Sequence, residues 1–207
     1  MPIDFAVSAF VTLIVVLDPI GLAPAYVAVT HGLPATARRQ IAMRASLIAT
    51  AILAGTALIG EWLLTSLGIG IPAFRIAGGL LLFSIATEMV FGVRTERQTR
   101  AAEQALQDDF RSIAAFPLAI PMLAGPGAIT ATVLLRGQAG GKPLELAILL
   151  GVIIIACAIC AVVFLVAGKV ARYLGVTGNV VLSRLLGVIL AALAVQFVVD
   201  GVKAVLG

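Results

Sequence analysis

Leu17-Asp18-Pro19-Ile20-Gly21 stands inside an apolar run extending from Phe5 to Val29, and Ala124-Gly125-Pro126-Gly127 stands inside another from Ile113 to Leu135. Proline has no N–H, and its ring collides with the carbonyl four residues back. Helical hydrogen bonding is therefore predicted to lapse around Val15 and Met122. Hydrocarbon offers no substitute partners, so such a lapse persists only where protein, water or a ligand supplies them. A pair of interrupted spans at matching places in two half-sequences is the sequence sign of a transport site.

Working outward, the composition is that of a membrane protein: 61% hydrophobic and 12% charged residues, with a mean hydropathy of +1.16. Six segments have about the 20-residue length an α-helix needs to cross the hydrocarbon core. They are Phe5 to Val29, Ala45 to Leu67, Ile71 to Phe91, Ile113 to Leu135, Leu144 to Ala167 and Val180 to Val199. Short loops join them, so residues 1–207 are expected to form one membrane domain. The fold class expected is all-α, a polytopic bundle of six transmembrane helices. Strand-like alternation is absent, which argues against an outer-membrane barrel. Met1-Pro2-Ile3-Asp4 lacks a basic n-region and the first apolar run is long, so no cleavable signal peptide is expected.

Basic residues set the expected orientation. Arg38, Arg39, Arg44, Arg94, Arg97, Arg100, Arg111, Lys169 and Arg172 fall on one side, against Arg75, Arg136, Lys142 and Lys203 on the other. The positive-inside rule then places the odd-numbered loops in the cytoplasm and both termini outside. The sequence pI near 9.6 follows from these residues and from attraction to anionic lipid, and it does not call for a nucleic-acid partner.

An internal repeat is also visible. Pro19 and Pro126 are 107 residues apart, Arg75 and Arg184 are 109 apart, and Gly78 with Gly187 and Gly92 with Gly201 keep the second offset. Leu67-Gly68-Ile69-Gly70 parallels Leu174-Gly175-Val176-Thr177, and Gly92-Val93-Arg94 parallels Gly201-Val202-Lys203. Three spans per half put the halves in opposite orientations, a 3+3 inverted repeat with helices one and four broken near the midplane. Repeat one covers about 1–93, a cytoplasmic linker about 94–112, and repeat two about 113–207. Asp108-Asp109 reads as solvated linker charge.

The strings DPIGLAPAYVAVT at 18–30, LGIGIPAFRIAGGLLLF at 67–83 and PLAIPMLAGPGAITATVLL at 117–135 resemble the MarC family of bacterial integral membrane proteins, and the resemblance runs over essentially the whole chain. It implies a six-helix protein of the bacterial cytoplasmic (inner) membrane, related more distantly to the LysE-type exporters. It also implies transport of small neutral amino acids, the activity assigned to members known as SnatA. The family often has asparagine before its first Pro-x-Gly. This chain has Asp18 there, which bears on the charge state and the coupling ion.

The residues themselves point toward a small zwitterion. Helices restarting after Pro19 and Pro126 are expected to offer N–H groups around Ile20, Gly21, Gly127 and Ala128, at a positive helix end suited to a carboxylate. Freed carbonyls near Val15 and Met122, with the Asp18 carboxylate, suit an ammonium. Gly21, Gly125 and Gly127 allow close approach of backbone, and Ala23, Ala124 and Ala128 leave room. The same glycines also fit simple helix packing, and Pro24, Pro117 and Pro121 fit kinks without a ligand. Thr130 and Thr132 are hydroxyls beside the second interruption, able to contact a ligand or to bond back to the helix. Asp18 is different, because an acid at bilayer depth costs about 2.5–3.5 kcal/mol and its default reading is functional. Glu88, inside span three but near its end, is a candidate for gating or proton relay.

Other groups read as structural. Arg75 and Arg184 can snorkel to the interface, Glu61, Glu145 and Asp200 sit near span ends, and Trp62 is placed as an interfacial anchor. Cys157 and Cys160 form an isolated C-x-x-C within span five. With His31 in a loop and no second cysteine pair, they read as small apolar side chains, with no metal or cofactor expected.

The expected function is a secondary transporter of small neutral amino acids of the glycine and alanine class, coupled to protons or sodium. The alternative is an exporter of other small or amphipathic compounds. An intramembrane enzyme is disfavoured, since no second central aspartate, buried histidine or Walker motif is present. Membrane lipids, the amino acid and the coupling ion are the expected partners, and a homo-oligomer is compatible with the sequence.

Overall fold

A computed structural model of the chain describes residues 2–94 and 114–206, except for the side chains at 114–117, 121 and 170–176. The described residues are all-helical: α1 (Pro2–Leu17), α2 (Ala23–Val29), α3 (Ala35–Ser66), α4 (Ile71–Phe91), the π-helical α5 (Ala114–Leu123), α6 (Pro126–Gln138) and α7 (Pro143–Leu206). Except for Arg94, the expected linker lies outside the described residues, as does its Asp108-Asp109 pair.

Proline and glycine mark the boundaries. At the end of α3 the Ile69 N–H donates to Leu64 O and the Gly68 N–H to Thr65 O, and Gly68 has φ +70°. This is the Schellman closure, which needs a left-handed residue at that position. Gly70 then caps α4 in extended conformation, and Pro72 occupies its first turn. The string Leu67-Gly68-Ile69-Gly70-Ile71-Pro72 thus reverses the chain between two long helices.

Four helical stretches among the described residues are long and apolar enough to cross a membrane: Ala35–Ser66, Ile71–Phe91, Pro143–Lys169 and Thr177–Leu206. The last two lie in one helix. α7 has 64 residues, about three times the roughly 20 that one crossing of the core needs. Lys169 and Arg172, expected in a loop, therefore lie in helix. No proline follows Pro143, and glycine alone lowers helix propensity without breaking the hydrogen-bond ladder. Arg38, Arg39 and Arg44 depart from expectation in the same way. They belong to the opening turns of α3, which begins ten residues before the apolar segment at Ala45. A charged turn of good helix formers continues a helix as readily as an apolar one.

The surface is apolar as well. Leu47 is 69% exposed, Trp62 67% and Phe91 72%, a density of bare large side chains that water would penalise and lipid tolerates. The interior is knit by small residues. α4 runs antiparallel to the second stretch of α7: Gly187 packs on Ala86 and Met89, Gly79 on Ala194 and Val198, and Gly201 on Pro72 and Ile76. On its other side α4 meets α6, with Gly78 against Thr130 and Leu134 and Gly137 against Ile71. In lipid, such close backbone approach supplies the van der Waals contact that holds helices together. At the far ends of α3 and α6, Glu61 Oε2 and Arg136 Nη2 form an ion pair at 3.0 Å.

These contacts distinguish glycines that pack from glycines that do not. A Cβ on Gly79 would lie 2.7 Å from the Ala194 carbonyl oxygen, whereas one on Gly55 would meet nothing within 4 Å. Gly79→Ala is expected to cost about 1–3 kcal/mol by forcing α4 from α7. Gly55→Ala is expected to stabilise by about 0.5–1 kcal/mol through helix propensity. Thermal unfolding of the purified variants in detergent measures both.

Candidate functional site

The first interruption is a self-capped turn. The Asp18 N–H still donates to Ile14 O, and the Leu22 N–H donates to Asp18 O. Between them Pro19 has no N–H to give Val15. The Gly21 N–H donates to the Asp18 carboxylate at 3.0 Å and does not continue the helix toward Leu17. Asp18 has φ +47°, a left-handed conformation that aspartate and asparagine tolerate better than other side chains. Gly21 is required by proximity, since any Cβ there would collide with the carboxylate of Asp18.

The second carboxylate oxygen of Asp18 accepts a hydrogen bond from Ser183 Oγ at 2.8 Å, which ties the turn to α7. Arg94 closes the other side. Its Nη2 donates to the Val16 carbonyl at 3.0 Å, and its Nη1 lies 3.2 Å from Met89 Sδ. Gly92, at φ +81°, turns the chain so that Arg94 re-enters the bundle. Asp18, Ser183 and Arg94 are all buried. A guanidinium on a freed carbonyl and a carboxylate on a freed N–H are charge-assisted bonds, the strong kind.

The second interruption is built differently. α5 carries π-type bonding, with the Ala124 N–H donating to Ala119 O at 2.8 Å. Gly125, the N-cap residue, is extended and has no side chain to cap with, and Pro126 opens α6 with no side-chain cap among the described residues. The Ile129 N–H returns to Gly125 O, which leaves Gly127 and Ala128 as the N–H groups of the first turn. This turn lies against the end of α1, because a Cβ on Gly127 would be 3.5 Å from Val16 Cγ1 and 2.5 Å from Ile85 Cδ1.

A family model described as "MarC family integral membrane protein" matches residues 3–206. The chain belongs to the MarC family. Among its relatives it is 37% identical over 200 residues to a UPF0056 membrane protein of Archaeoglobus fulgidus, covering 96% of this chain and 92% of that one. It is 38% identical over 208 residues to a UPF0056 membrane protein of Aquifex aeolicus, covering 97% and 93%. It is 34% identical over 207 residues to UPF0056 membrane protein YhcE of Escherichia coli, covering 98% and 94%. No solved structure matches. With its apolar helices, this MarC-family chain is a multi-pass membrane protein.

The site residues named from the sequence fall as follows. Asp18, Pro19, Gly21, Gly125, Gly127, Ala128 and Thr130 are buried, Ile20 is half-buried and Pro126 is exposed. Glu88 is half-buried on α4, one turn before its end. The Gly21 N–H, expected to face a ligand, is engaged by Asp18, and the Val16 carbonyl beside the expected acceptor Val15 is engaged by Arg94. Thr132 bonds back to Ala128 O at 2.7 Å, and the Thr130 methyl packs on Gly78. Cys157 and Cys160 are buried and free. No group of three or more His, Cys, Asp or Glu assembles among the described residues.

Ser183 and Arg94 were missed. A lone serine in an apolar span was a readable signal for the first. Arg94 opens a basic stretch after a helix end, and only its backward turn at Gly92 makes it internal.

Asp18→Ala removes two hydrogen bonds and places alanine in a left-handed conformation, so a loss of about 3 kcal/mol or more is expected. Asp18→Asn keeps the acceptor for Gly21, and its amide can donate to Ser183 Oγ, so a change within about 1 kcal/mol is expected. Equal thermal stability of the two variants in detergent would contradict this account.

Proposed function

We propose that this protein is a secondary transporter moving small neutral amino acids of the glycine and alanine class across the cytoplasmic membrane, coupled to protons or sodium. The reading is carried by one observation: the uncapped first turn of α6 abuts the interrupted end of α1, through Gly127 and Val16. A helix N-terminus without a side-chain cap presents N–H donors and a positive dipole end, the environment a carboxylate requires. On the other side lie the Val15 carbonyl, whose helical donor Pro19 removes, and the negative charge of Asp18, the environment an ammonium requires.

In this reading α1 with α2, and α5 with α6, are two broken spans of a six-span, 3+3 inverted repeat, meeting near the bilayer midplane. Asp18, Pro19, Ile20 and Gly21 form one wall; Gly125, Pro126, Gly127, Ala128 and Thr130 form the other. Asp18 shapes the first break through Gly21 and Ser183 and contributes its charge to the site. Glu88, near the end of α4, serves gating or coupling. Both termini face outside the cytoplasm.

Proteoliposomes containing the purified protein are expected to accumulate labelled glycine or alanine under an imposed proton or sodium gradient. Unlabelled substrate should exchange with the label. Accumulation of neither, with uptake only of bulky amphipathic compounds, would replace this reading with the export alternative. Orientation is tested separately with cysteines introduced into residues 95–113, since the native pair is buried. They are expected to resist a membrane-impermeant thiol reagent in intact cells, and rapid labelling would reverse the topology.

A further inference from the structure

Hydroxyls inside apolar helices usually satisfy themselves by donating to the carbonyl four residues back. Thr30, Thr50, Thr56, Thr87 and Thr132 do so at 2.7–2.9 Å. Ser183 does not. Its Oγ lies 2.8 Å from Asp18 Oδ2, although the carbonyl of Asn179 stands four residues back along α7. A hydroxyl both donates and accepts, so this contact has two forms. With Asp18 ionised, the serine donates to the carboxylate. With Asp18 protonated, the acid donates to Ser183 Oγ, and the serine hydrogen is free to turn to the Asn179 carbonyl as in the other hydroxyls. The Gly21 N–H, on Oδ1 at 3.0 Å, is kept in both. Only hydrogen positions differ between the two forms.

The groups around Asp18 leave both forms accessible. The residue is 2% exposed, and its carboxylate takes these two hydrogen bonds and no ion pair among the described residues. An ionised acid buried without a cation bonded to it is costly, and a proton removes that cost. Arg94 offsets part of it. Its guanidinium sits on the Val16 carbonyl and beside Met89 Sδ, two residues along from Asp18, and its charge supports the ionised form. From α7 the Cys160 thiol comes within electrostatic reach of Asp18. α6 also touches the end of α1, and its one titratable residue, Arg136, pairs with Glu61 at the far end. On α2 the Tyr26 hydroxyl is engaged by Arg38 O.

We propose that Asp18 and Ser183 form a reversible proton-binding site. A proton delivered by hydronium forms the Oδ2–H bond of Asp18, releases water and reverses the hydrogen bond to Ser183, with no other bond changed. The charge presented at the first break is thereby switched without unmaking the turn. Within the transport reading above, on which this step alone rests, the proton is the coupling ion and Asp18 its carrier.

Infrared difference spectra of the purified full-length protein, acid minus alkaline, read the carbonyl stretch of protonated carboxyl groups. Wild type is expected to gain a band that Asp18→Asn lacks, every other carboxyl group being common to both. Ser183→Ala is expected to displace that band, because the acid has lost its hydrogen-bond partner. Overturning results are a wild-type spectrum equal to that of Asp18→Asn wherever the protein is folded, a band that does not change with pH, or a band at the wild-type position in Ser183→Ala. Should Asp18→Asn not fold, the comparison of wild type with Ser183→Ala decides alone, since only a carboxyl bonded to Ser183 responds. In proteoliposomes, uptake of labelled glycine or alanine by wild type is expected to be driven by a pH gradient without sodium. Uptake driven by sodium alone overturns the assignment of the coupling ion. If neither amino acid is taken up, the transport reading fails, and the infrared result still decides the proton site.

Discussion

A backbone N–H or carbonyl in hydrocarbon must find a partner, and the structure around Asp18 follows from that constraint. Pro19 removes one donor, and the turn it imposes redirects the next ones. The chain answers with charged groups: the Asp18 carboxylate takes the Gly21 N–H, and the Arg94 guanidinium takes the Val16 carbonyl. Neutral partners would form weaker bonds, and leaving the groups bare would cost about 1–3 kcal/mol each. The interruption is therefore a fixed element, bonded to α7 through Ser183 and joined by Arg94 to the end of α4.

The same three elements are drawn together by shape. Gly187, one turn beyond Ser183, packs on Met89, whose sulfur lies beside Arg94. Polar and van der Waals contacts thus coincide at one end of the α4 and α7 pair. Toward the other end the pair is held by Gly79 and Gly201, where backbone comes close enough that a methyl group does not fit. Tyr26 adds a third tie. Its ring stacks on Phe164 with centroids 4.9 Å apart, and its hydroxyl donates to Arg38 O at 2.8 Å, which fixes short α2 between α3 and the first stretch of α7.

The two interruptions differ in how finished they are. At Asp18 the N–H and carbonyl groups are largely engaged by the protein, so that turn has the character of a scaffold. At Gly125 the helix restarts without a side-chain cap, and its first turn is pressed against the scaffold through Gly127. An asymmetric pair of this kind suits a binding site, in which one wall stays shaped while the other keeps donors for a ligand.

The sequence by itself determined the membrane class, the apolar helices, the ends of α3 and α4 at Ser66 and Phe91, and the family. These depend on hydropathy, on the missing N–H of proline and on the left-handed tolerance of glycine, which act within a few residues of where they are written. It also marked Asp18, because an acid in an apolar run carries its cost wherever the chain folds. Local signals failed where charge and helix coincide: Arg38 and Lys169 look like loop residues, yet helix continues through them because hydrogen bonding along the axis is indifferent to what the side chains meet. Only the tertiary structure decided which partners Asp18 and Val16 would take. Ser183 is 165 residues from Asp18 and Arg94 is 78 from Val16. No periodicity specifies such a pairing, which arises when packing of small residues brings distant helices close enough for a buried polar group to reach the one partner within its length.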